Sequence, residues 1–174
     1  MTPETLAKGG SEHAHQTAFF AWLGCAANYG WEASADPLSF TKPKHAKDRY
    51  GQSQAIPELR WVHAIPNGGD RDGIVAANMV AEGARSGVWD IHVPIPMESI
   101  EGETFPGLYI EMKKPGRQKE KFGGLSNAQI NFGLHLKKLG YAYFVAYSWM
   151  EARDALYYYM KGGWNVSRNT AFSN

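Results

Sequence analysis

Apolar and polar residues alternate strictly in Leu108-Tyr109-Ile110-Glu111-Met112-Lys113. Strand residues two apart share a side. Leu108, Ile110 and Met112 therefore form one apolar face, and Tyr109, Glu111 and Lys113 form the other. Residues 88–95 predict a second strand, with Val88, Asp90 and His92 on one side against Trp89, Ile91 and Val93. An aromatic strand is predicted over 141–147. Residues 59–65 are also strand-like and are halted by the turn sequence Pro66-Asn67-Gly68-Gly69.

Helical spacing governs the segments between. Phe19, Trp22, Leu23 and Ala26 recur at helical intervals within 11–30, and Ser11 stands as N-cap. Residues 72–83 predict a short helix closed by Gly83. Residues 126–139 predict another, opened by Ser126, stopped by Gly140, with Ile130, Leu134 and Leu136 buried. A last helix is expected over 149–161. The Pro-, Gly- and Ser-containing stretch 31–57 reads as an irregular insertion, 97–106 as a polar connection and 115–124 as a loop. Residues 162–174 read as a frayed tail. The order of elements predicts one α/β domain, with its core over about 11–161 and a central mixed β-sheet flanked by helices.

The 174 residues suffice for a substantial core, and 44% hydrophobic with 20% charged residues is the balance of a globular domain. The single cysteine, Cys25, excludes an intramolecular disulfide framework and a multi-cysteine zinc site. It lies among apolar residues of a predicted helix and reads as packing. No apolar run is long enough to span a membrane, and the first residues lack a secretory pattern, so an intracellular, cytoplasmic setting is expected. The net charge of +1 does not announce a nucleic-acid binder. Its distribution says more. Lys42, Lys44, Lys47 and Arg49 form one basic cluster, open to either solvent or phosphate. Lys113, Lys114, Arg117, Lys119 and Lys121 form a second, which directly follows Glu111 and suits phosphate contact.

About twenty positions separate Asp90 from Glu111-Met112-Lys113. If the two strands pair, both carboxylates can converge on one divalent cation with the Lys113 ammonium beside them. An exposed charged strand face would carry a similar pattern by chance. Both runs, however, are strand-like with apolar opposite faces. The histidines show no ligand spacing: His13 and His15 are two apart on a helix and do not share a face. His92 falls on the Asp90 side, and His63 reads as a packed strand residue.

A longer ordered set of residues resembles the VRR-NUC domain (virus-type replication-repair nuclease) of the PD-(D/E)XK superfamily. It comprises Glu12 and Gln16; His63 to Gly69 with Arg71; Ala81 to Asp90; Ile110 to Lys113; Leu125 to Gln129; and Gly140-Tyr141. Two departures stand out. The Val-Arg-Arg of the family name is Ala84-Arg85-Ser86 here, and the proline usual before the aspartate is Trp89. Both are expected to alter substrate contacts more than chemistry.

The resemblance implies a restriction-endonuclease-like fold and a Mg²⁺- or Mn²⁺-dependent DNA nuclease. Asp90, Glu111 and the Met112 carbonyl would be the metal ligands, with Lys113, Glu12 and Gln129 completing the catalytic set. Asn67, Arg71, Arg85, Lys114, Arg117, Lys119 and Lys121 would touch nucleic acid. Compact, phage-type members imply a homodimer acting on branched DNA such as Holliday junctions.

Several of these residues have a second role available. Glu12 suits the first turn of a helix for its dipole alone. Ser126-x-x-Gln129 is a capping box. Asn67, Gly68 and Gly69 suit a turn, and Arg71 and Arg85 suit surface ion pairs. Two other functions compete: a non-catalytic nucleic-acid-binding module, and a glycosidase using Asp90 and Glu111 as paired acids. The first leaves an intact Asp90, Glu111 and Lys113 unexplained, and the second leaves Lys113 and the basic loop without a task.

Overall fold

A computed structural model describes residues 1–66 and 73–169, with the backbone alone for 73–76. The chain opens with a short helix, α1 (Pro3–Ala7), and the long α2 (Glu12–Ala35). The Ser11 hydroxyl accepts the Ala14 N–H at 3.1 Å, the expected N-cap. Ala18, Phe19, Trp22, Leu23 and Ala26 line the buried face of α2. The helix bends at Gly30 (φ 89°), where a Cβ would lie 2.5 Å from the Gln54 carbonyl oxygen.

The stretch 31–57 is helical as far as Arg49, where an irregular insertion was expected, and irregular from there to Ile56. α2 continues to Ala35 and is followed by α3 (Leu38–Thr41) and α4 (Pro43–Arg49). Pro43 opens α4, where its missing N–H is no loss. Asp36 clasps the segment: its carboxylate accepts the Leu38 N–H at 2.9 Å, meets His45 Nε2 at 2.8 Å and accepts the Tyr50 hydroxyl at 3.1 Å. These partners are up to fourteen positions from Asp36, out of reach of any periodicity argument.

The strand expected over 59–65 shrinks to β1 (His63–Ala64), preceded by a 3₁₀ turn at Pro57–Trp61. Its buried residues, Leu59 and Val62, are three apart, a turn spacing. α5 (Gly73–Ala81) follows. The later strands are β2 (Ile91–Val93), β3 (Met97–Glu98), β4 (Thr104–Phe105), β5 (Leu108–Met112) and β6 (Ala142–Ala146). β3 and β4 pair as a small hairpin within the expected polar connection. The loop at 115–124 contains two short 3₁₀ turns. α6 (Asn127–Lys138) and α7 (Trp149–Met160) complete the elements that cover the sheet.

The main sheet has four strands in the order β1-β2-β5-β6. β2 runs antiparallel to both of its neighbours, β1 and β5, whereas β6 runs parallel to β5 after the α6 crossover. The fold is a mixed α/β arrangement with helices on both sides of a mixed sheet. Ile91, Val93, Leu108, Ile110 and Met112 join the aliphatic core with α2 and α7. Tyr109, Tyr143 and Val145 pack on the other side with Leu136 and Phe132 of α6. Leu134, expected inside, is exposed: the inward stripe of α6 runs through Gly133 and Leu136.

The expected tail also departs from prediction. Trp164 is buried, and Asn169 Oδ1 accepts both its indole N–H (3.1 Å) and the Tyr143 N–H (3.0 Å). That contact covers part of the outer edge of β6, a common protection for a sheet margin. Among the described residues no helix is long and apolar enough to cross a membrane.

Candidate active site

β2 and β5 pair with Ile91 opposite Ile110, so the next position back sets Asp90 opposite Glu111. The Asp90 carboxylate crosses to β5 and accepts the Met112 N–H through Oδ2 at 2.8 Å. In an extended strand the N–H and C=O of one residue leave toward the same neighbour, which turns the Met112 carbonyl toward Asp90. Lys113 prolongs β5 on its other edge, its N–H donating to the Ala146 carbonyl at 2.8 Å. The strand alternation holds from Leu108 to Met112. It fails at Trp89, because β2 starts only at Ile91. The Trp89 side chain joins Leu136, Tyr143 and Val145 on the α6 side, where alternation would have set it against Ile91's aliphatic neighbours.

Glu111 and Lys113 are buried, 1% and 5% exposed. The Lys113 ammonium lies 2.8 Å from Glu111 Oε1, which also accepts a short hydrogen bond from the Gln129 side-chain amide. Gln129 performs both roles open to it. Its side-chain oxygen accepts the Ser126 N–H at 2.9 Å in a complete capping box, while its amide nitrogen reaches Glu111. Glu12, in the first turn of α2, likewise combines roles: its Oε1 accepts the Lys114 N–H at 3.2 Å, tying α2 to the end of β5.

These side chains line one cleft of about 1030 Å³. Glu12, Asp90, Glu111, Lys113 and Gln129 all border it, and so does Arg85. Gln16, one helical turn beyond Glu12, lines it too, as do His13 and Thr17 on the same helix. Gln16 belongs, with Glu12, to the ordered set of residues that carries the family resemblance. Nothing in the pattern singled out Thr17, or the apolar rim formed by Phe20, Met79 and Val80.

The electrostatics are those of crowded carboxylates around one ammonium. Burial, reinforced by the Asp90 charge and more weakly by Glu12, pushes the Glu111 carboxyl up to about 8, and Lys113 opposes the rise. Glu111 Oε2 is buried and has no hydrogen-bond partner among the described residues. An orphaned carboxylate oxygen costs about 1–3 kcal/mol, and a hard divalent cation is the partner its chemistry suits. No group of three or more His, Cys, Asp or Glu side chains suited to a metal occurs among the described residues. A cation here would take one or two carboxylates, with backbone, water and phosphate oxygens filling the rest, the usual habit of Mg²⁺.

The basic residues divide. Arg85 is exposed, and its guanidinium bonds the Val80 and Ala84 carbonyls at 3.3 and 3.2 Å, closing the end of α5. Arg117 is engaged by Glu120, with contacts of 2.9 to 3.1 Å. Lys121 lies over the Phe122 ring at 5.0 Å. Lys114 and Lys119 are exposed, and none of these four loop residues borders the cleft. Asn67 and Arg71 lie outside the described residues. Cys25 is half-buried, its thiol pushed up to about 11 by burial and by Asp36, in keeping with a packing role.

No family model matches the chain, and neither does any curated protein. Among solved structures, the chain is similar to a VRR_NUC domain protein: 25% identical, covering 67% of this chain and 83% of that one, with a TM-score of 0.48.

Proposed function

We infer that this protein is a Mg²⁺- or Mn²⁺-dependent nuclease that hydrolyses DNA phosphodiesters. The observation that carries the reading is Glu111: a fully buried carboxylate whose Oε1 is committed to Lys113 and Gln129, and whose Oε2 has no hydrogen-bond partner among the described residues. A purely structural buried acid would be satisfied on both oxygens. A divalent cation bound by Asp90, Glu111 and the Met112 carbonyl would supply Lewis acidity to the phosphoryl group and its leaving oxygen.

The chain's own groups have distinct tasks in this reading. Lys113 holds a positive charge at the cleft wall, where it can neutralise charge growing on the phosphate or lower the pKa of the attacking water. Gln129 fixes the Glu111 carboxylate in one orientation. Glu12 holds the end of β5 and faces the same space. Arg85, Lys114, Arg117, Lys119 and Lys121, with Asn67 and Arg71, form the candidate contacts to the phosphate backbone. Branched DNA, such as a four-way junction, is the proposed substrate, and a homodimer offering two sites to opposing strands is the proposed assembly.

The test is cleavage of labelled linear, flapped, forked and four-way DNA. Activity should vanish in EDTA and return with Mg²⁺ or Mn²⁺. Cleavage that persists undiminished in chelator would overturn the metal reading. DNA binding without cleavage under every metal condition would favour a non-catalytic binding module.

A further inference from the structure

The tryptophan that precedes Asp90 is fully buried and does not border the cleft, so it makes none of the substrate contacts expected of it. Its indole Nε1–H instead donates to the backbone carbonyl of Gln129 at 3.0 Å. The ring is itself wedged beside Leu136 and Val145 and meets Tyr143 edge-on at 6.0 Å. Two residues earlier, Gly87 (φ +86°) lies so close to α6 that a Cβ would come within 2.5 Å of the Ala128 Cβ. The segment leading into Asp90 is thus docked directly on the first turn of α6. Among the described residues, that turn carries the only side-chain hydrogen-bond donor to Glu111 besides Lys113.

We propose that Trp89 is a positioning residue, whose indole N–H holds the first turn of α6 so that the Gln129 amide stays on Glu111 Oε1 and leaves Oε2 for a cation. The inference rests on the metal-nuclease reading of Glu111. A proline at position 89 could not do this, since it carries no side-chain donor. Nor could phenylalanine, which would fill most of the space and leave the Gln129 carbonyl without its indole partner. Hydrogen-bonded neighbours of a metal ligand typically contribute tenfold to a hundredfold in metal affinity.

Mn²⁺ binding, followed by the loss of free-ion EPR signal, tests this without any turnover. Trp89→Phe should weaken Mn²⁺ binding about tenfold, and Gln129→Ala should weaken it by a similar factor. The double variant should be no worse than either alone, because both changes break the same chain of contacts. Benzothienylalanine incorporated at Trp89 keeps the bicyclic shape but lacks the N–H. It should reproduce the loss of Mn²⁺ affinity with only the small fall in melting temperature that one lost hydrogen bond causes, whereas a packing role alone predicts parental Mn²⁺ affinity, and it keeps the question decidable if Trp89→Phe fails to fold. Parental Mn²⁺ affinity in the benzothienyl protein, or additive losses in the double variant, would overturn the inference. If the parent protein itself binds no Mn²⁺, the metal reading of Glu111 falls, and the role of Trp89 falls with it.

Discussion

On the side covered by α2 and α7, the sheet presents Ile91, Val93, Leu108, Ile110 and Met112, hydrocarbon and thioether only. On the side covered by α6, β2 and β5 present His92, Tyr109 and Glu111, and β6 adds Tyr143. Tyr109 stacks on His92 at 4.4 Å and meets Phe132 edge-on at 5.4 Å. Toward the end of β5 this second side changes to the Glu111–Lys113 ion pair and the cleft. The first side can be satisfied by burial alone, at roughly 25 cal/mol for each Å² removed from water. The second must satisfy polar atoms one by one, and at Glu111 Oε2 it does not. Stability and chemistry are thus separated within one sheet: consecutive residues of β5 serve one and then the other.

Substitutions on the two sides should therefore fail in different ways. The largest expected effect is on the apolar side. Ile110→Ala would leave a cavity in a fully buried cluster and should destabilise the fold by about 2–5 kcal/mol in urea denaturation. Surviving folded protein should keep its metal affinity. A loss below about 1 kcal/mol would mean that the fold does not depend on the aliphatic side.

Lys113→Ala tests the charged side. It removes the ammonium but no metal ligand, and Glu111 Oε1 keeps its hydrogen bond from the Gln129 amide. Folded protein should survive with reduced stability, because a buried ion pair loses one partner, and cleavage of branched DNA should fall about a hundredfold, equivalent to about 2.7 kcal/mol in the barrier. Asp90→Ala should lose cleavage as severely, yet through the metal, so high Mn²⁺ should partly restore it and should not restore Lys113→Ala. Near-parental rates in Lys113→Ala would remove the lysine from the chemistry.

The smallest effect is expected at a polar group on the aliphatic side, where α2 meets α7. His15 is buried, and its Nδ1 accepts the Trp149 N–H at 3.2 Å. Burial lowers its pKa below the ordinary 6.5, against a weaker opposing pull from Glu151. The unfolded chain therefore takes up this proton first as pH falls, and stability contributed by neutral His15 is present above pH 6.5 and lost below it. His15→Leu should cost about 1 kcal/mol at pH 7.5. The gap between parent and variant should narrow in denaturation series taken toward pH 5. A gap that widens toward acid would mean His15 is held charged.

Much of the charged side is legible in the pattern of residues along the chain. Glu111 and Lys113 share a side because strand geometry leaves no other choice, and Ser126-x-x-Gln129 announces its own helix start. Arg117 shows where the pattern stops informing. Its charge sits in the expected basic run, but Glu120, three residues on, engages it through two nitrogens. Leu134 marks a related limit. Several apolar residues of α6 could define its inward stripe, and contact with Trp89 and Tyr143 selects the one through Leu136.

Sequence alone determined what depends on neighbours along the chain: the two-residue alternation of β5, the buried stripe of α2 and the caps at Ser11 and Ser126. Tertiary structure decided whatever depends on partners far away. Glu12 reaches the site because its carboxylate meets the N–H of Lys114, 102 positions on. The 31–57 segment is helical as far as Arg49 around a carboxylate clasp, and Asn169 ties the described end of the chain to the outer edge of β6 at Tyr143. Trp89 turns to the α6 side because β2 begins two residues later and an acceptor waits at Gln129, forty positions away. Local periodicity carries no information about such contacts, since their energy exists only once distant segments have been brought together.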